Sequence, residues 1–223
     1  MRRTNRKSEA FSVGFGRPGR ALARRLFLTG LVAAFGLQLL PARAHDSPGL
    51  VKPPIEVADI TVLSADGVRA PLRDLLRGRV TAIQLMFSKC KSICPIEAAT
   101  LARVQESLEA VKDNSTDGIQ LLSLSIDPVT DTPEVLQAWL ERFGAQRGWT
   151  AASPAEADLG RVRAFFDRAS ALGEDHSTTI SLVDRNGLLV WRTLELPAPD
   201  EVARLLIQLQ KAGTVSSQIA GQQ

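Results

Sequence analysis

Val80-Thr81-Ala82-Ile83-Gln84-Leu85-Met86-Phe87-Ser88-Lys89-Cys90-Lys91-Ser92-Ile93-Cys94-Pro95 joins a mostly apolar run to a close pair of cysteines and then to a proline. The run from Val80 to Phe87 suits a buried strand. Pro95 suits the first position of a helix, because its φ is already helical and the N–H it lacks has no partner in a helix's first turn. Ile96, Ala99, Leu101, Val104, Leu108 and Val111 then keep helical spacing to about Val111. A buried strand that feeds straight into a helix, with two thiols at the junction, sets an α/β layout.

The segments on either side extend that layout. A short strand is expected at 59–64, a helical turn at Pro71–Leu76, a strand at Ile119–Ile126 and a helix opening at Thr132-Pro133-Glu134 and reaching about Phe143. A short strand near Trp149 and a helix over roughly Pro154–Ala171 follow. His176–Val183 alternates as a strand, Asp184-Arg185-Asn186-Gly187 is a hairpin turn, and Leu188–Thr193 pairs back before a last helix at about Asp200–Ala212. Strands alternating with helices, closed by a hairpin, predict a three-layer α/β/α sandwich.

Residues 1–44 read as an export signal. They hold nine of the 27 Lys+Arg and one of the 24 Asp+Glu, then the apolar stretch Leu26–Leu40 and the small-residue pattern Ala42-Arg43-Ala44, so cleavage is expected after Ala44. Arg24-Arg25-Leu26-Phe27-Leu28 resembles the twin-arginine signal that exports folded proteins across a bacterial inner membrane. A retained anchor is the competing reading, but it needs ~20 apolar residues, and Gly30, Gly36 and Gln38 interrupt this run. The formal charge of +3 becomes 18 − 23 = −5 once residues 1–44 are removed. An acidic domain with no basic run offers no footprint for nucleic acid. The expected organisation is the signal at 1–44, a flexible arm at 45–56, one domain at 57–213 and a tail at 214–223.

Cys90 and Cys94 are the only cysteines. A domain of this size buries a core without staples, and a bridge closing so short a loop would restrict the unfolded chain little. A structural disulfide is therefore the weaker reading. At a helix start the dipole, the free amides and Lys89 and Lys91 favour thiolate, the form that binds metal and attacks disulfides. Three residues between the cysteines, one more than in the thioredoxin C-x-x-C motif, lean towards gripping an ion. Thiolates select Cu(I) or zinc, and imidazole suits copper too. Structural zinc takes four protein ligands, whereas Cys90, Cys94 and His176 make three, which fits Cu(I) better. Glu174 or Asp175 could orient the His176 ring. His45 would become the first residue after cleavage and could chelate a metal, although an ordinary residue on an arm is the plainer reading. Met86 is expected in the core. Asp127 and Asp131 are expected to shape a turn, with Thr132 capping the next helix and partner docking as a weaker role.

Three separated segments carry a family resemblance. They are Phe87-Ser88-Lys89-Cys90-x-x-x-Cys94-Pro95, then Ser123-Leu124-Ser125-Ile126-Asp127-Pro128-Val129-Thr130-Asp131-Thr132-Pro133-Glu134, and then Asp175-His176-Ser177 followed by Leu182-Val183-Asp184-Arg185-Asn186-Gly187. The chain resembles the Sco/SenC family of thioredoxin-fold copper proteins involved in cytochrome oxidase assembly, over about residues 55–212. The resemblance implies a thioredoxin-like sandwich with a mixed central sheet, and Cys90, Cys94 and His176 as copper ligands, for Cu(I) or Cu(II). It implies a periplasmic metallochaperone that receives copper from a donor chaperone and delivers it to an acceptor, a cytochrome c oxidase subunit with a binuclear copper centre. The sequence departs from the family in having Lys91-Ser92 where many members carry Pro-Asp. A thiol-disulfide oxidoreductase with Cys90 and Cys94 as its redox pair is the alternative. A thiol peroxidase ranks third, since no arginine lies beside the cysteines in sequence.

Overall fold

The computed structural model describes residues 49–111, 114–166, 178–193 and 196–220, with the side chains of the last helix described to Gly213. The export signal, His45, the 167–171 part of the expected helix, and Glu174, Asp175 and His176 lie outside the described residues.

The strands are β1 (Gly49–Glu56), β2 (Thr61–Ser64), β3 (Arg69–Pro71), β4 (Val80–Met86), β5 (Ile119–Ser125), β6 (Trp149–Pro154), β7 (Ser181–Val183) and β8 (Leu188–Arg192). The helices are α1 (Leu72–Leu76), α2 (Ile93–Glu109), α3 (Pro133–Arg142), α4 (Leu159–Phe166) and α5 (Pro199–Ala220). Among the described residues the strands form one sheet in the order β1-β8-β7-β4-β5-β6-β2-β3. β4, β5 and β6 run parallel in the middle, and the flanking pairs are antiparallel.

Every residue of β4 is buried, as its apolar run predicts, and the strand is covered on both faces. The pleat sends Ala82 and Met86 to one face, where they pack with Leu101 of α2, Trp139 of α3 and Val202 and Leu206 of α5. It sends Ile83 and Leu85 to the other, against Leu72 and Leu76 of α1 and Val162 and Phe166 of α4. These are the three layers expected. No described helix is long and apolar enough to cross a membrane.

Several boundaries differ from the sequence expectation. The arm expected at 45–56 is, from Gly49 on, an edge strand paired with β8, and its register slips between Leu50 and Ile55, around Pro53 and Pro54. Proline cannot donate to a ladder and is tolerated at such an edge. The tail expected from 214 continues α5 to Ala220. β3 pairs with β2 across a turn at Asp66-Gly67, a hairpin too short to show a period. The helix expected from Pro154 begins only at Leu159, because Trp149–Pro154 forms the longer β6 beside β5 and β2. The turn at Asp184–Gly187 stands as expected: Asp184 Oδ1 accepts from the amides of Asn186 and Leu188, both at 2.9 Å, and Gly187 takes φ +80°.

Candidate metal centre

The site is built where β4 ends. Phe87 O accepts from the Cys90 amide at 3.1 Å, so Phe87–Cys90 forms a turn. α2 begins at Ile93, two residues earlier than the sequence suggested, and Pro95 is its third residue. Proline fits there because the first turn's amides have no intrahelical acceptor to lose. Cys94 is thereby inside the first turn, and its amide donates to Cys90 Sγ at 3.4 Å. Ser92 Oγ lies 3.8 Å from the same sulfur. Cys90 and Cys94 are free thiols, 6% and 2% exposed, whereas Lys89 and Lys91 are exposed beside them.

The two thiols are held in opposite states. Burial raises the Cys90 pKa, but hydrogen bonds from the side chain and amide of Cys94 and from the amide and hydroxyl of Ser92 outweigh it and bring the thiol down to about 7. Burial pushes the Cys94 thiol far above its ordinary range, and its hydrogen bond to Cys90 pushes the same way. Near neutral pH the pair thus presents one thiol that is about half ionised and one that stays protonated.

A buried polar chain supports the pair from below. Gln84, on the α2 face of β4, donates from Nε2 to the Cys94 carbonyl at 3.2 Å. Ser123 Oγ donates to Gln84 Oε1 at 3.4 Å, and Trp149 Nε1 donates to Ser123 Oγ at 3.1 Å. Glu97, one turn after Cys94 and 2% exposed, lies beside the Gln84 side chain, and its Oε1 is buried with no hydrogen-bond partner among the described residues. Burial raises its carboxyl to about 8, the Gln84 side chain opposes that rise, and the charge of Cys90 adds to it. The sequence reading missed Glu97. The signal was available, since Cys94, Glu97, Ala98, Leu101, Val104 and Gln105 form the buried stripe of α2 and Glu97 is the carboxylate within it.

The second motif, Asp127–Pro133, packs against the first. Thr132 caps α3 as expected, accepting from the Val135 amide at 3.4 Å. Asp127 shapes the turn, its carbonyl accepting from the amides of Thr130 and Asp131. Asp131 reaches further than a turn residue, to the amide of Ser88 in the cysteine loop. Lys89 Nζ donates to Thr130 Oγ1 at 3.2 Å.

Among the described residues no third His, Cys, Asp or Glu completes a three-ligand group with the thiols. The third expected ligand, His176, lies outside them, five residues upstream of Ser181. β7 pairs antiparallel with β4, with Ile83 opposite Ser181 and Thr81 opposite Val183. The chain therefore enters β7 from the end of β4 that carries the cysteine loop. Met86 is fully buried in the core, as expected.

A family model described as SCO1/SenC matches residues 61–210. Among curated proteins, an SCO2-like protein of Rickettsia prowazekii is 28% identical over 124 residues, covering 51% of this chain and 58% of the relative. The SCO1 protein homolog of Bacillus subtilis is 28% identical over 95 residues, covering 42% of this chain and 47% of the relative. The aligned part thus spans about half the length of these relatives. Among solved structures, copper-bound yeast Sco1 superposes with a TM-score of 0.58 at 20% identity, covering 71% of this chain and 94% of that one. Copper-bound Bradyrhizobium japonicum ScoI gives 0.56 at 21% identity, covering 69% and 99%. At these identities the superpositions establish the thioredoxin-like fold. The family model spans more than half of the sequence and includes both cysteines, and on that ground the chain belongs to the SCO1/SenC family.

Proposed function

We propose that this protein is a copper metallochaperone, exported to the periplasm, that binds one copper through Cys90, Cys94 and His176 and passes it to an acceptor, a cytochrome c oxidase subunit with a binuclear copper centre. The observation that carries the reading is the thiol pair itself: two free sulfurs at a helix start, one of them brought down to about 7 and so poised to ionise. Thiolate is the form that ligates a soft metal, and copper capture would release the proton that Cys94 still holds. The β4–β7 register supports His176 as third ligand, since it directs the chain upstream of Ser181 towards the cysteine loop. The copper bound by yeast Sco1 and Bradyrhizobium ScoI supports the choice of metal.

A second reading is favoured by a specific observation. One thiol poised to ionise beside one that stays protonated is the division of labour that thiol-disulfide exchange needs, with Cys90 attacking a partner disulfide and Cys94 resolving the mixed disulfide. Such a protein would reduce the acceptor's cysteines before copper enters.

Copper titration of the reduced protein, beside Cys90→Ala and His176→Ala, separates the two. One copper per chain with a sulfur-to-copper charge-transfer band in the Cu(II) form, lost or badly weakened in both variants, is the expected result. No copper in the wild type, or unchanged binding in His176→Ala, sinks the metallochaperone reading and leaves disulfide exchange first.

A further inference from the structure

We propose that Asp131 is a positioning residue for the thiol pair: its buried carboxylate, anchored in the loop after β5, holds the backbone of Ser88 and thereby fixes where Cys90 Sγ stands relative to Cys94. The proposal rests on Cys90 and Cys94 being the working thiols, by either route above.

Asp131 is 1% exposed. Oδ1 and Oδ2 both accept from the Ser88 amide, each at 3.2 Å, and Oδ2 also accepts from the Ser125 hydroxyl at 2.6 Å. A buried carboxylate is costly unless donors meet it, and hydrogen bonds to a charged acceptor are the stronger kind. Local needs do not explain this one. Capping of α3 is done by Thr132, and the turn is closed by the backbone of Asp127.

The same carboxylate bridges two loops that are 43 residues apart in sequence. Ser88 and Lys89 are the central residues of the turn that Phe87 and Cys90 close. Holding the Ser88 amide sets the orientation of that turn, and the turn sets the Cys90 backbone. On the far side of Cys90, Lys91 and Ser92 are exposed only in part or fully at the loop surface, Ser92 Oγ lies 3.8 Å from Cys90 Sγ, and the Cys94 amide donates to that sulfur at 3.4 Å. The helix start thus holds the sulfur from one side, and Asp131 holds the backbone of the loop from the other, at Ser88. An amide at 131 would have the same shape but would lose the charge and turn an NH2 towards one of the two donors that now meet oxygen, so Asp131→Asn weakens the hold without emptying the space.

The test uses the full chain, reduced and metal-free, as wild type, Asp131→Asn and Ser125→Ala. Folding is checked by circular dichroism. The first readout is the iodoacetamide alkylation rate of Cys90, and the second is the reduction potential of the Cys90–Cys94 pair against a glutathione buffer. Both are expected to shift in folded Asp131→Asn and to shift less, in the same sense, in Ser125→Ala, which removes one donor and adds no clash. Copper retention should fall about tenfold, as for loss of a group that orients a metal ligand. A folded Asp131→Asn with wild-type alkylation and potential overturns the proposal. If Asp131→Asn does not fold, a folded Ser125→Ala with both readouts unchanged overturns it instead. A shift in these readouts in a protein that binds no copper leaves the positioning role standing while the copper reading falls.

Discussion

The loops that leave β4 and β5 are neighbours at the same edge of a parallel pair, yet they are built on opposite plans. The β5 loop is saturated by its own bonds: Asp127 O takes the amides of Thr130 and Asp131, Thr130 O takes Thr132, and Ser125 Oγ takes Asp127. The β4 loop closes one backbone bond, from Cys90 to Phe87, has its Cys90 sulfur met by the Cys94 amide at the helix start, and makes further bonds to the β5 loop at Ser88 and Lys89. The loop with the reactive sulfurs is thus the less self-sufficient of the two. A loop with no chemistry of its own supplies part of the rigidity of the loop that carries the sulfurs.

The largest contrast to test lies within the reactive loop. With Cys90 brought to about 7 and Cys94 pushed far up, alkylation of the folded, metal-free protein at pH 7 should mark Cys90 about a hundredfold faster than Cys94. The Cys90 rate should rise through pH 7 and level off above it. Mass spectrometry of the labelled peptides reads both sites, and equal labelling would mean that the thiols are not differentiated by their surroundings.

Behind that loop, Glu97 should make stability depend on pH. Its folded pKa of about 8 lies above the ordinary carboxyl value of 4.5, so the folded state keeps a proton that the unfolded state has released. Stability is then fullest below pH 4.5 and declines as pH rises to 8. Glu97→Gln cannot ionise. It should flatten this slope and gain up to about 4 kcal/mol at pH 8. Urea unfolding of both proteins across this range checks the sign, and parallel curves would remove Glu97 as the cause.

The smallest effect belongs to the self-sufficient loop. Thr132→Ala deletes the α3 cap and should cost about 1 kcal/mol, a fall of about 2–4 °C in melting temperature. Cys90 alkylation should not change, since Thr132 touches Val135 and Glu134 and not the cysteine loop. A slowed or quickened alkylation would show that the two loops are coupled at more than Asp131 and Thr130.

Much of this was legible in the sequence because strong local signals coincide. The apolar run 80–87 gave the central strand, Thr132-Pro133 the start of α3, and Asp184–Gly187 the hairpin. What escaped was non-local. Gly49–Glu56 has no period of its own and becomes a strand because β8 offers it an edge. Glu97 reads as an ordinary helix residue until its place on the buried stripe is seen, and nothing near Asp131 in sequence announces the amide of Ser88. Local rules account for each loop alone. They are silent on which loop holds which.

The β4–β7 register also bears on timing. Ile83 and Ser181 pair across 98 residues, and the core around Cys90 and Cys94 includes Ile180, Leu182, Val202 and Leu206. Synthesis proceeds from the N-terminus, so the cysteine loop leaves the ribosome well before the segments that enclose it. Until that late portion arrives the sulfurs have no complete shelter, and any scavenging ion or oxidant meets them as part of an unfinished chain. If the chain is exported as proposed, crossing as an already closed fold would end that exposure under reducing conditions, whereas threading it unfolded would move the same vulnerable interval into an oxidising compartment.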